Sequence, residues 1–75
     1  MSKTINIALG QTIADQRRKL DLSQEELAFR CKLHRTYISQ IERGVKSPTL
    51  GVLFELAAAL EAKPSQLVLK VEAAL

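Results

Sequence analysis

Apolar residues recur along this chain at the spacing that places them on one face of an α-helix. The first such stripe contains Leu9, Ile13 and Leu20, with Ile5 one turn earlier. Continued to the end of the chain, the pattern predicts five short helices. We place them at residues 5–20, 24–31, 35–43, 50–60 and 64–70 or further.

Signals for helix ends support these boundaries. Ser23 and Glu26 have the spacing of a capping box, in which each side chain accepts a hydrogen bond from the other residue's backbone N–H, so the second helix begins directly after Ser23. Gly44 ends the third helix because glycine readily adopts the left-handed conformation. Thr49 and Pro64 are typical of an N-cap and of a first helical turn.

The composition favours an all-α fold. Glycine (3), proline (2) and aromatic residues (4%) are scarce, which disfavours turn-rich β folds and disorder. A chain of 75 residues predicts one domain, residues 1–75, and at this size only about 60% of the unfolded surface is buried. A deep enclosed substrate cleft is therefore not expected, and we predict that the protein is not an enzyme.

Neither export nor membrane insertion is expected. Residues 1–11 lack the apolar run of a signal peptide, and the longest apolar run, residues 56–60, is far shorter than the ~20 residues that cross a bilayer. The single cysteine, Cys31, cannot form an internal disulfide, which suits a reducing compartment. These features predict a cytoplasmic protein with no membrane partner.

Positive charge is concentrated in the first part of the chain. Residues 1–46 contain nine Lys and Arg against five Asp and Glu, whereas residues 47–75 contain two against three. This asymmetry is typical of a face that binds a polyanion, but it also suits a basic face that is merely solvated. Charge alone leaves both interpretations open.

The second and third predicted helices have the spacing of a helix-turn-helix unit, over about residues 23–43, because a turn of three to four residues joins them. Helix pairs are also common in bundles, so this spacing is not specific by itself. The third helix adds a second signal, since hydrogen-bonding side chains cluster at its leading end, opposite Ile38 and Ile41. They belong to Arg35, Thr36, Ser39 and Gln40.

Several segments together resemble a known family. They are Leu9-Gly10 with Ile13 and Arg17, SQEELA at residues 23–28, HRTYISQIERG at residues 34–44 and SPTL at residues 47–50. With these segments the chain resembles the Cro and lambda-repressor-like helix-turn-helix regulators, also called the xenobiotic-response-element type. Within that family it is most similar to the stand-alone controller proteins of restriction-modification systems. The resemblance implies a compact five-helix lambda-repressor-like DNA-binding domain.

Two positions depart from the family pattern. Asp21 and Lys32 stand where such proteins commonly have glycine, at the end of the first helix and in the turn of the motif. A non-glycine residue in the left-handed conformation costs on the order of 1 kcal/mol. Packing of Leu33 can offset that cost, so the departures are compatible with the fold.

The resemblance implies that the polar face of the third helix lies in the major groove of DNA. Its base-contacting residues would be Arg35, Thr36, Ser39 and Gln40. Arg35 is the strongest candidate because its guanidinium can donate two hydrogen bonds to guanine O6 and N7. Thr36 offers a methyl group to thymine and a hydroxyl to a base or phosphate. Gln40 suits adenine, or a phosphate because it lies deeper along the helix.

Other residues are implied as contacts to DNA phosphates. They are Gln24, Tyr37, Arg43 and Lys46. Gln24 opens the second helix, where free backbone N–H groups attract a phosphate, or it is simply a helix-start residue. Tyr37 can donate its hydroxyl to a phosphate or cover neighbouring apolar residues with its ring. Lys46 either contacts the backbone of DNA or is an ordinary surface cation.

Two further pairs of residues are assigned from the resemblance. Arg17 and Glu42 match an ion pair that bridges the first helix to the recognition helix, which is a structural role and not a DNA contact. Glu25 and Glu26 could present an acidic patch to RNA polymerase, as in activating members of the family. The alternative is that both carboxylates stabilise the start of a helix.

The fourth predicted helix has two apolar stripes. We assign the first to the core: Leu50, Leu53, Phe54, Ala57 and Leu60. Apolar residues left without an intramolecular partner then predict a homodimer interface through the last two helices, unless the fifth helix folds back over part of it. These residues are Val52, Leu56, Val68, Leu69 and Leu75. A twofold dimer places its recognition helices about 34 Å apart, which predicts a near-palindromic operator.

The sequence therefore predicts a sequence-specific transcriptional regulator that binds DNA as a homodimer, with a restriction-modification controller as the narrower expectation. The alternative is an antitoxin or phage-type repressor whose main role is to bind a protein partner. Cys31 and His34 are too few for a metal site and lack the third group that a Cys/His nucleophile needs. We assign Cys31 to the core and His34 to an N-cap, and expect no metal or cofactor.

Overall fold

Five α-helices form the structure, a computed structural model that describes the backbone of residues 2–75 and the side chains of residues 4–75. The helices are α1 (Ser2–Lys19), α2 (Gln24–Cys31), α3 (Arg35–Glu42), α4 (Leu50–Ala59) and α5 (Pro64–Ala74). No strand occurs between residues 2 and 75, so the predicted all-α fold is confirmed. Met1 of the predicted domain lies outside the described residues.

The helix ends follow the predicted signals closely. The bounds of α2 agree with the prediction, and Ser23 and Glu26 form the capping box: Glu26 N–H donates to Ser23 Oγ at 3.0 Å, and Ser23 N–H donates to Glu26 Oε1 at 2.8 Å. Thr49 Oγ1 accepts from Val52 N–H at 3.1 Å and caps α4. The largest difference is in α1, which begins earlier than predicted, while α5 continues to Ala74, as its open-ended prediction allowed.

A residue in the left-handed conformation follows each of the first four helices and makes the turn after it short. Asp21 (φ 56°) follows α1 and Lys32 (φ 57°) follows α2, at the two positions where the family commonly has glycine. Gly44 (φ 76°) follows α3, as predicted. Glu61 (φ 56°) adopts the same conformation after α4, which no sequence signal indicated.

The core lies between α1 and the other four helices, with α1 packed against α3 and α5 and with α2 packed against α3 and α4. Its most deeply buried large side chains are Ile13, Leu27, Ile38, Ile41, Leu56, Leu60 and Leu67. Each full burial of a residue of this kind contributes roughly 1.5 to 3 kcal/mol. The core thus draws on every helix and fixes α3 from its inner side.

Backbone approaches closely to backbone where α1 crosses the end of α3. A Cβ atom on Gly10 would overlap the carbonyl oxygen of Ile41 and would lie 2.6 Å from that of Glu42. Because those neighbours are backbone atoms, they cannot rotate aside as a side chain could. Glycine at this position therefore sets the spacing between α1 and the recognition helix.

The rotation of α4 differs from the prediction. Leu56, expected in the dimer interface, is fully buried (0% exposed), whereas Leu50 (70%) and Phe54 (55%), expected in the core, are largely exposed. Both stripes of α4 satisfy helical periodicity, so the pattern could not decide which one faces inward. Packing against α2 and α5 buries Leu53, Leu56 and Leu60, and the assignment of Leu56 to the interface was wrong.

In the described part of the chain, no helix combines the length and the apolar character needed to cross a membrane.

Candidate nucleic-acid interface

The recognition helix α3 has one buried and one exposed face. Ile38 and Ile41 are buried in the core, while Arg35 and Thr36 at the leading end are exposed. Ser39 and Gln40, the other predicted base contacts, are half-buried. The structure therefore places all four on α3 but gives Arg35 and Thr36 the freest access to a ligand.

Three residues, Lys32 to His34, join α2 to α3 and form the turn of the motif. The left-handed backbone at Lys32 reverses the chain, and Leu33 N–H donates to the carbonyl oxygen of Ala28 at 2.9 Å. Leu33 packs against the core and His34 occupies the N-cap position of α3, although its side chain makes no cap hydrogen bond. The turn remains tight without glycine.

A bidentate ion pair connects α1 to the end of α3, as the resemblance implied. Arg17 Nε donates to Glu42 Oε2 at 2.7 Å, and Arg17 Nη2 donates to Glu42 Oε1 at 2.9 Å. The exposed fractions of the two side chains are 12% and 5%. Hydrogen bonding to Glu42 raises the pKa of Arg17, against the opposing effect of burial. The pair is shielded enough for each charge to depend on the other.

The same two side chains also hold the start of α2. Arg17 Nη1 donates to the carbonyl oxygen of Leu22 at 2.8 Å, and Gln24 Nε2 donates to Glu42 Oε1 at 3.0 Å. We call this set of contacts the Arg17–Glu42–Gln24 network. It was only partly foreseen, because the bond from Gln24 joins residues 18 positions apart and no sequence pattern marks it.

Three of the four predicted phosphate contacts, Gln24, Arg43 and Lys46, lie around the C-terminal end of α3. Gln24 opens α2 and is half-buried, with its amide engaged by Glu42. Arg43 and Lys46 are exposed, at the C-cap of α3 and in the loop that follows. Tyr37 is half-buried and packs against the core, which supports its role in covering apolar residues. Cations thus flank α3 at its leading end, with Arg35, and beyond its last turn.

The first turn of α2 presents two carboxylates to solvent. Glu25 and Glu26 are both exposed, and hydrogen bonds from Ser23 lower the pKa of Glu26. The helix-start role of Glu26 is therefore observed directly. One turn later Phe29 is 86% exposed, although no sequence signal indicated an exposed aromatic ring there.

An apolar groove lies on the side of the molecule formed by α1, α4 and α5. Its cavity volume is about 240 Å³, and its lining consists of Ile5, Leu9, Ser47, Pro48, Thr49, Leu50, Leu53, Val68 and Val71. Ile5, Leu50 and Val68 are exposed, and Phe54 lies one turn beyond Leu50 on α4. Of the predicted interface residues, Val68, Leu69 and Leu75 are exposed, and Val52 is half-buried.

Cys31 lies in the core beneath the turn. Burial raises the pKa of its thiol, which keeps the sulfur protonated and unreactive. Within the described residues, no group of three or more His, Cys, Asp or Glu side chains could hold a metal ion.

Known proteins resemble this chain in sequence and in structure. A profile of the helix-turn-helix family matches residues 13–67. The control protein C.BamHI of Bacillus amyloliquefaciens is 43% identical over 68 residues, which cover 89% of this chain and 84% of that protein. The restriction-modification controller protein C.AhdI from Aeromonas hydrophila has a TM-score of 0.81 and 37% identity, with 83% of this chain and 94% of that chain covered.

A third relative was solved with DNA. The restriction-modification controller protein C.Esp1396I, as a tetramer in complex with its natural 35 base-pair operator, has a TM-score of 0.83 and 27% identity, with 93% of this chain and 92% of that chain covered. The family match, the turn between α2 and α3 and the exposed polar end of α3 agree with one another. The chain belongs to the helix-turn-helix family of DNA-binding transcriptional regulators.

Proposed function

We propose that this protein binds a near-palindromic operator as a homodimer, with one α3 helix of each subunit in the major groove. The observation that carries the proposal is the exposure of Arg35 and Thr36 on a helix whose opposite face is locked into the core. A helix held in this way offers side chains to base edges, and the major groove is wide enough to admit it. Residues 1–75 act as one domain, with the helix-turn-helix at about residues 23–43.

Base readout is carried by the leading half of α3. Arg35 grips guanine with two hydrogen bonds, and Thr36 contacts thymine through its methyl group. Ser39 and Gln40 are half-buried, so they offer less accessible polar surface to DNA than Arg35 does. This difference in exposure assigns the main discrimination between bases to Arg35 and a smaller share to Ser39 and Gln40.

Phosphate contacts fix the position of α3 along the groove. Gln24 and the first backbone N–H groups of α2 hold one phosphate beside the last turn of α3, and Arg43 and Lys46 hold the DNA backbone just beyond that turn. Tyr37 contributes through its hydroxyl while its ring stays packed against the core.

The homodimer forms through the apolar groove of α1, α4 and α5. Exposed Ile5, Leu50 and Val68 line it, Phe54 lies one turn beyond Leu50, and an exposed apolar patch of this kind on a small domain commonly marks an interface. One subunit measures 30 × 21 × 21 Å, so a single α3 reads one groove. A second subunit is needed to reach the next groove about 34 Å away.

The operator most compatible with the relatives lies in a restriction-modification operon. C.AhdI is a restriction-modification controller protein and C.BamHI is a control protein, and both align with most of the present chain. C.Esp1396I binds its operator as a tetramer, which supports DNA binding by an oligomer. The competing role, an antitoxin or phage-type repressor that mainly binds protein, has no comparable support among these relatives.

RNA polymerase is a second partner in this proposal. Glu25 and Glu26 are exposed on α2, adjacent to the start of the helix that holds a DNA phosphate. A carboxylate there can meet a basic surface of polymerase bound to the neighbouring promoter. Glu25→Gln would then reduce promoter activation while leaving operator affinity unchanged; equal activation by both proteins would remove this role.

The protein acts by occupancy and not by catalysis, on the nucleoid, and it requires no cofactor. Titration of the protein into DNA from upstream of its own operon tests the main proposal. We expect binding about a thousandfold or more tighter than to shuffled DNA of equal length. Equal affinity for both DNAs, or no complex at low salt, would contradict it.

Sedimentation at micromolar concentration tests the assembly, and the two phenylalanines of the chain provide a matched pair of variants. Phe54→Glu places a charge at the proposed interface, and we expect monomers with weak operator binding. Phe29→Glu places the same charge on exposed α2 and should remain dimeric. Dimers of Phe54→Glu, or monomers of the unaltered protein on and off DNA, would refute the interface.

A further inference from the structure

The carboxylate of Glu42 has more partners than an ion pair with Arg17 requires. Its Oε2 accepts from Arg17 Nε, whereas Oε1 accepts from both Arg17 Nη2 at 2.9 Å and Gln24 Nε2 at 3.0 Å. Glu42 is the last residue of α3 and Gln24 is the first residue of α2. One buried carboxylate therefore joins the end of the recognition helix to the start of the helix before it.

This contact decides which way the amide of Gln24 faces. A carboxylate can only accept hydrogen bonds, so it must be met by the NH₂ group of the amide and not by its oxygen. An unanchored glutamine can turn through 180° and present either group. With one N–H held by Glu42, the amide keeps its second N–H as a donor, which is the group that a phosphate oxygen can accept from.

The charge of Arg17 makes the arrangement compatible with DNA. A lone buried carboxylate beside a phosphate would repel it, but the bidentate guanidinium of Arg17 neutralises Glu42. Arg17 also donates to the carbonyl oxygen of Leu22 at 2.8 Å, which holds the segment that enters α2. The backbone and the side chain of the α2 start are thus both held from the same pair.

We propose that Glu42 is a positioning residue for DNA binding, which presets the Gln24 amide to donate to a phosphate and fixes that donor relative to α3. The inference rests on the proposed phosphate contact of Gln24. As a consequence, the side chain of Glu42 fixes the position of the Gln24 phosphate contact relative to the base-contacting residues of α3. Loss of Glu42 should therefore weaken the phosphate contact even though Gln24 itself is still present.

Neutral methylphosphonates, placed one at a time along an operator half-site, test this coupling. With the unaltered protein, a methylphosphonate at one position of the DNA should weaken binding about tenfold, as expected for losing a hydrogen bond to a charged group. Gln24→Ala should abolish that penalty and so identify its phosphate. Glu42→Gln should reduce the same penalty, because a neutral amide oxygen holds the N–H groups of Arg17 and Gln24 less tightly than the charged carboxylate does.

A purely structural role of Glu42 predicts a different pattern. Glu42→Gln would then weaken binding to all these DNAs equally and keep the tenfold penalty, which would overturn the inference while the phosphate contact of Gln24 stands. If Gln24→Ala leaves the affinity loss at every methylphosphonate position unchanged, Gln24 contacts no phosphate. The inference about Glu42 then fails as well, whatever the operator affinity. Asp15→Asn, an exposed carboxylate change on α1, is the control and should keep the penalty.

A second measurement needs no variant and covers the case in which Glu42→Gln does not fold. In the free protein, ¹⁵N relaxation of side-chain amides should give Gln24 an order parameter near the rigid backbone value of about 0.85. Exposed Gln11 is the internal control and should fall below about 0.6. A Gln24 value as low as that of Gln11 would show that Glu42 does not hold the amide, and would overturn the proposal.

Discussion

The α1–α3 part and the α4–α5 part of this molecule are held together by different kinds of contact. Arg17, Glu42 and Gln24 join α1, α2 and α3 through directional hydrogen bonds, and Gly10 brings the backbone of α1 against that of α3. By contrast, α4 and α5 meet through apolar side chains such as Leu56 and Leu67. Directional contacts fix the angle of a helix, whereas apolar packing mainly fixes which face is covered.

This difference matches the tasks of the two parts. A recognition helix must hold base-reading side chains within a narrow range of positions, which hydrogen bonds and backbone contact can enforce. The α4–α5 part supplies the remaining core and leaves Leu50, Phe54 and Val68 exposed for a second subunit. Accordingly, defects in the first part should change DNA reading as well as stability, whereas defects in the second should change folding or assembly.

The largest effect is expected inside the α4–α5 part. Leu56→Glu buries a charge at a fully enclosed position, so the free energy of unfolding should fall by more than about 4 kcal/mol, enough to unfold many small domains. Circular dichroism and urea titration measure this. A Leu56→Glu protein that is folded and monomeric would contradict the core assignment and would support the sequence-based assignment of Leu56 to the dimer interface.

The next largest effect concerns the polar contacts of the α1–α3 part. Arg17→Ala leaves the carboxylate of Glu42 shielded and unpaired, and should lower the free energy of unfolding by about 3 kcal/mol. Arg18→Ala is the neighbouring control, since its exposed pair with Asp15 at 3.7 Å contributes at most about 0.5 kcal/mol. Similar losses in both variants would mean that the directional contacts do not stabilise this part.

Base reading is the third test. Arg35→Ala should cost about 1 to 3 kcal/mol of binding free energy on the operator and much less on random DNA, with unchanged thermal stability, because it removes a contact to bases and not to the fold. Fluorescence anisotropy with both DNAs measures this difference. Equal losses of binding free energy on both DNAs would mean that Arg35 contacts phosphates and not bases.

Lys46→Ala should have a smaller and less selective effect. It removes one cation from the loop after α3, so binding to all sequences should weaken similarly. The slope of log affinity against log salt should fall in magnitude by about 1. A salt titration of both proteins on the same DNA reveals this change, and an unchanged slope would mean that Lys46 is ordinary surface.

The smallest effect is a pH dependence at the start of α2. The pKa of Glu26 is lowered in the folded state by its hydrogen bonds to Ser23, so ionised Glu26 contributes stability above its ordinary pKa. That contribution is lost as the pH falls from about 4.3 through the lower folded-state pKa. The difference in unfolding free energy between the unaltered protein and Glu26→Gln should shrink over that window; a constant difference would contradict the assignment.

The fold could be predicted where local chemistry decides it. The bounds of α2 followed from Ser23 and Glu26, because a capping box is a short-range signal. The burial of Ile38 and Ile41 followed from the polar residues on the other side of α3. On α4 both stripes are apolar, so its rotation depends on the shapes of α2 and α5, which periodicity does not contain.

The candidate site was predictable in its residues but not in its connections. The resemblance supplied the pair of Arg17 and Glu42, and the structure contains it. The bond from Gln24 to Glu42 was not foreseen, since it depends on how three helices meet. The exposure of Phe29 was not predicted either, because it depends on which neighbouring elements cover each face of α2.

The close approach at Gly10 also limits how the sequence can change over evolution. The Cβ atom of any other residue there would meet carbonyl oxygens at the end of α3, so every substitution would displace the helix that contacts DNA bases. At Gly51 a new Cβ would meet only Thr49 Oγ1 at 3.9 Å, and alanine would even suit the helix better. In a library of variants selected for operator binding, only glycine should be recovered at position 10, whereas many different residues should be recovered at position 51.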